Sequence, residues 1–63
     1  MPIIEVTLVE GRTYEKKKAL IKELTDATEN AIGAPRQAIR VILREVPAEH
    51  FAVAGMPKSE EQK

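Results

Sequence analysis

The order of apolar and polar positions divides the chain into three stretches. From Ile3 to Val9 the residues are mostly β-branched or aliphatic, bounded by Pro2 and Gly11, and predict a strand. Ile4, Val6 and Leu8 share one face. Ile3, Glu5, Thr7 and Val9 share the other, which is also half apolar and implies burial on both sides. After a turn at Glu10–Thr13 the period becomes helical. Leu20, Leu24, Ala27 and Ala31 form a stripe that Ile21, Thr28 and Ile32 widen, so a helix is predicted from Tyr14 to about Ile32. Thr13 suits its N-cap, and Gly33, with Pro35 two residues beyond, suits its end. Gln37–Val46 predicts a second strand, with Ile39, Val41 and Leu43 on one face and Arg40, Ile42 and Arg44 on the other. His50–Gly55 predicts a short strand or hairpin arm, and the polar stretch 57–63 a frayed tail.

Strand, long helix, strand is a β-α-β unit, which favours parallel strands and a right-handed connection. The fold class is α+β, with residues 1–63 as one domain. Two strands and one helix leave sheet edges and a sheet face without cover. A chain of 63 residues is also marginal by itself. It contains no cysteine and a single histidine, His50, so disulfides and the usual metal clusters cannot support it. Association with other subunits is the support that remains.

Ten basic and ten acidic residues balance to zero, which argues against a nucleic-acid partner. One Phe and one Tyr are too few for a stacking platform. No apolar run approaches the ~20 residues of a membrane span, and no signal-peptide pattern opens the chain. A cytoplasmic location, without membrane or metal, is the expectation.

Most catalytic constellations are absent. The sole serine is Ser59, and the three glycines stand apart. Pro2 is the unusual candidate. Removal of Met1 would expose a secondary amine with an unperturbed pKa of ~7.7–8.0. An apolar pocket or nearby cations would lower it into the range of a general base. With Met1 attached the same nitrogen is an amide. Pro2 also fits the plain reading of a strand-starting residue. Arg12 is either a solvated turn arginine or a carboxylate ligand. Arg40, set among β-branched residues, either pairs with Glu5 or Glu45 or binds an anionic substrate. Phe51 either packs in a core or walls a pocket. His50 reads as a turn residue, and Arg44 as exposed or at a subunit contact.

Four segments together resemble the 4-oxalocrotonate tautomerase family: Pro2–Thr13, the Ile-Gly-Ala-Pro at Ile32–Pro35, Ile39–Glu45 and His50–Gly55. The resemblance implies a tautomerase fold of β-α-β subunits, usually six copies arranged as a trimer of dimers. It implies cofactor-free 1,3-keto–enol tautomerisation of unsaturated 2-oxo acids such as 2-hydroxymuconate, from aromatic hydrocarbon catabolism. By the same resemblance, Pro2 carries the proton between the 2-hydroxyl oxygen and C-5. Arg12 binds the distal carboxylate, Arg40 of a neighbouring subunit meets the 2-oxygen, and Phe51 forms the aromatic wall. Val9 and Ala54 stand where the related chloroacrylate dehalogenases have an arginine and a glutamate, which weakens that reading. A relative acting on another enol or keto acid, and a non-catalytic oligomeric module, remain as alternatives.

Overall fold

The structure, a computed structural model, describes residues 1–60. Strand β1 spans Ile3–Val9, helix α1 spans Tyr14–Ile32, and strand β2 spans Arg40–Val46. The strands pair in parallel, from Ile3 opposite Arg40 to Val9 opposite Val46. Strands β3, Ala52–Val53, and β4, Met56–Pro57, form a separate antiparallel hairpin.

Local chemistry accounts for the boundaries. The Thr13 hydroxyl accepts the Lys16 amide at 3.2 Å and caps α1. Gly33, at φ 71°, ends it, its amide donating to Glu29 O at 2.9 Å. The second strand begins three residues later than the pattern predicts. Pro35 is held near φ −68° and opens a 3-10 turn at Arg36–Ala38, closed by Ala38 N to Pro35 O. The tail prediction is corrected in part. Pro57 completes β4, and Lys58–Glu60 form a 3-10 turn tied back by Lys58 N to Phe51 O at 2.7 Å. Residues 61–63 of that prediction lie outside the described ones. Ala54 and Gly55 link β3 to β4 with φ of 54° and 81°, the two positive values of a type I′ hairpin.

Helix α1 covers one face of the sheet. Ile4, Val6, Leu8, Val41 and Leu43 are half-buried there, as are Leu20, Leu24 and Thr28 of the helix. Lys17 Nζ reaches Glu45 Oε1 at 3.0 Å and ties the helix to the end of β2. The opposite face is bare, with Ile3 58% and Ile42 43% exposed. Burial on both faces, which the pattern of β1 implies, is therefore not achieved within the chain. The outer part of the helical stripe, Ala27, Ala31 and Ile32, is exposed too. Among the described residues Ile39 is the only buried hydrophobic one. The chain exposes 4854 Å² at 7.0 kDa. A self-contained monomer of that mass exposes about 4,000 Å². The excess is close to the ~800 Å² that each partner contributes to an ordinary interface.

Candidate active site

Candidate residues gather at the two ends of β1. At its C-terminal end lies an open groove of about 560 Å³. Gly11, at φ 129°, turns the chain out of the strand and sets Arg12 on the groove's rim. Arg12 Nη1 donates to Val9 O at 3.0 Å. Phe51 enters from the other side, placed by the 3-10 turn Ala48–His50 that follows Pro47. Leu8, Val9, Phe51 and Val53 provide apolar lining, and Arg12, Lys58 and Glu10 provide charge. Lys58 was not legible as a groove residue because its segment reads as polar tail. The one available signal was Met56-Pro57 just before it, an apolar pair able to close a hairpin.

At the N-terminal end, Pro2 is half-buried and its carbonyl accepts the Arg40 amide at 3.1 Å. Arg40 Nη1 donates to Gln37 O at 2.6 Å. Neither acid proposed as its structural partner takes that role. Glu45 is held by Lys17, and Glu5 by Arg44 Nη1 at 3.3 Å. Arg12 and Arg40 thus share a property. Among the described residues each is bonded only to a main-chain carbonyl, with no acidic partner. A guanidinium has five N–H donors, so most of each remains available to a planar anion.

The structure brings Arg12 and Phe51 together, and Pro2 and Arg40 together, but it separates the two pairs. Seven strand residues at ~3.3 Å each put more than ~20 Å between Pro2 and Arg12. That exceeds the reach of any small dicarboxylate. His50 ends its 3-10 turn, with its amide on Pro47 O at 2.8 Å, and takes no part in the groove. No group of three potential metal ligands occurs among the described residues, and none of their helices is long and apolar enough to cross a membrane.

A family model described as tautomerase enzyme matches residues 2–61. A probable tautomerase of Ralstonia nicotianae is 61% identical over 59 residues, covering 94% of this chain and 84% of that protein. The fold superposes on a subunit of the heterohexamer 4-oxalocrotonate tautomerase of Chloroflexus aurantiacus with a TM-score of 0.92 at 35% identity, covering 95% and 97% of the two chains. A 4-oxalocrotonate tautomerase isozyme of Methylibium petroleiphilum gives a TM-score of 0.94 at 35% identity, covering 98% of this chain and all of that one.

Proposed function

This chain belongs to the tautomerase enzymes, a class of isomerases, and from that premise we propose that it interconverts enol and keto forms of unsaturated 2-oxo dicarboxylic acids such as 2-hydroxymuconate, with Pro2 as base. The observation that carries the reading is the pair of acid-free guanidiniums, Arg12 and Arg40. Two such groups suit a substrate with an anionic group at each end. The apolar lining between Arg12 and Phe51 suits the conjugated carbon chain.

In this mechanism the Pro2 amine, freed by loss of Met1, is neutral. It takes the proton from the 2-hydroxyl oxygen as the C=O bond forms, and returns it to C-5. Arg12 holds the distal carboxylate throughout. Arg40 meets the negative charge that grows on the 2-oxygen during proton transfer. Phe51 keeps the site dry, which with the arginines disfavours the protonated amine. No cofactor has a part in these steps.

One chain does not bring these groups to one substrate, so the mechanism requires a homo-oligomer. Both strands of the sheet are edges. Two copies with β1 side by side and antiparallel would set Pro2 of one beside Arg12 of the other. Arg40, on the bare face, is presented to whichever copy packs there. Six copies, as three such dimers, satisfy both demands, and the heterohexameric Chloroflexus enzyme supports that number. The test is an intact mass for the loss of Met1, together with ultraviolet turnover of 2-hydroxymuconate and sedimentation of the same sample. A folded monomer at micromolar concentration, or a processed oligomer without turnover, refutes the proposal.

A further inference from the structure

On the bare face of the sheet, Glu5 stands between two arginines. The register sets Ile3 opposite Arg40, Glu5 opposite Ile42, and Thr7 opposite Arg44. Arg40 and Arg44 are therefore the two diagonal neighbours of Glu5, one toward each end of the sheet. With strands ~4.8 Å apart and ~3.3 Å per residue along them, such diagonal positions lie about 8 Å apart, within reach of long side chains. Only one of the two pairs forms. Arg44 Nη1 lies 3.3 Å from Glu5 Oε1, while Arg40 turns to the carbonyl of Gln37. Glu45, the neighbour of Arg44 in sequence, belongs to the covered face and is held by Lys17.

We propose that Arg44 is a positioning residue which, by holding Glu5, keeps the Arg40 guanidinium open to an anionic substrate. The inference rests on the reading of Arg40 as a substrate ligand, and in this role Arg44 touches no substrate. A carboxylate fixed on the adjacent strand, two register positions along, competes with substrate as an intramolecular ligand of Arg40. Its effective concentration is in the millimolar range or above for a short tether. Exposed ion pairs are weak, yet their usual strength converts to a pairing ratio of about 1.4 to 5. The Arg44 pair is exposed as well and of the same strength, so Glu5 already spends part of its time on Arg40, and its release from Arg44 would weaken anion binding about 1.5- to threefold.

A double-mutant cycle tests this. Arg44→Gln, Glu5→Gln, the double variant and Arg44→Lys are compared with the wild type in the assembled protein freed of Met1. Calorimetry gives the Kd for cis,cis-muconate, an unsaturated dicarboxylate without an enol proton, and steady-state kinetics give KM and kcat for 2-hydroxymuconate. Arg44→Gln should raise the muconate Kd and KM about 1.5- to threefold and leave kcat within twofold, since saturating substrate displaces Glu5. Glu5→Gln and the double variant should bind at least as tightly as the wild type, and up to about twofold more tightly, and Arg44→Lys should largely retain affinity. An unchanged Kd in Arg44→Gln overturns the inference. So does a double variant as weak as Arg44→Gln, because Arg44 would then act on the ligand or the fold directly. Weakened binding in Glu5→Gln alone also overturns it. A wild type that binds muconate but does not turn over the dienol refutes the proposed reaction, while the Kd cycle still decides the role of Arg44. A wild type that does not bind muconate overturns both.

Discussion

Two regions of the molecule use arginine in opposite ways. Beside the C-terminal half of α1, Arg36 donates to Asp26 at 2.8 Å and to Glu29 at 2.7 Å, and Lys22 closes on Asp26 at 2.8 Å. These charges are mutually satisfied and fasten the turn before β2 to the helix. Hydrogen bonds from Lys22 and then Arg36 hold the Asp26 carboxyl below its ordinary pKa, and Asp26 and Glu29 in turn hold the Arg36 guanidinium above its own. At the ends of β1, Arg12 and Arg40 have, among the described residues, only carbonyl oxygens. A cation matched by local acids serves the fold, whereas one left unmatched is available to a ligand. The backbone follows the same division. Helix α1 has ordinary caps, while the hairpin beside the groove holds Ala54 at φ 54°, where residues other than glycine are strained.

The largest effect should come from Pro2, which the unmatched region serves. Retaining Met1 or acetylating the freed amine should abolish turnover while sedimentation shows the oligomer intact. In the active form, kcat/KM should rise with pH through one ionisation below the ~7.7–8.0 of an ordinary α-amino group. Turnover at the wild-type rate in the blocked protein would remove Pro2 from the mechanism.

Next come the arginines themselves. Arg12→Ala should mainly raise KM, and Arg40→Ala should mainly lower kcat. Each change should be roughly tenfold to a hundredfold, as for the loss of a charged hydrogen bond of ~1.5–3 kcal/mol. Arg36→Ala should leave both constants within about twofold and lower the melting temperature only slightly. A kinetic loss in Arg36→Ala matching that in Arg40→Ala would break the contrast between the regions.

A smaller effect is expected at the hairpin. Ala54→Gly removes the Cβ that opposes a left-handed backbone and should stabilise the protein by about 1 kcal/mol in denaturant titrations. An unchanged or lower midpoint would show that no strain is held beside the groove.

The smallest concerns pH. A carboxyl depressed in the folded state adds stability that is fully present above its unfolded pKa, near 3.8, and is lost as pH falls through the folded value. Asp26→Asn should therefore flatten the acid limb of the stability profile below about pH 4. A profile parallel to the wild type would mean that this cluster does not tie the turn to the helix in solution.

Much of the fold is written locally in the residues. The period-two run of β1, the Thr13 cap, the helical stripe and the stop at Gly33 each depend on neighbours within a few positions, and their bounds are readable for that reason. The start of β2 is not, because Pro35 favours a turn over strand residues that alternate well. The identities of Pro2, Arg12, Arg40 and Phe51, and the kinship they point to, are also contained in the sequence. Their arrangement depends on contacts far apart along the chain. Whether Glu5 pairs with Arg40 or Arg44 is invisible in one dimension, since both lie two positions away across a register that only the folded sheet defines. The distance from Pro2 to Arg12 becomes prohibitive only once β1 is known to be fully extended between them. Lys58 joins the groove because its amide, directly after β4, donates to the carbonyl of Phe51 seven positions back. Side-chain chemistry is a property of each residue and survives in the sequence, whereas separation and pairing are properties of the packed chain and its neighbours.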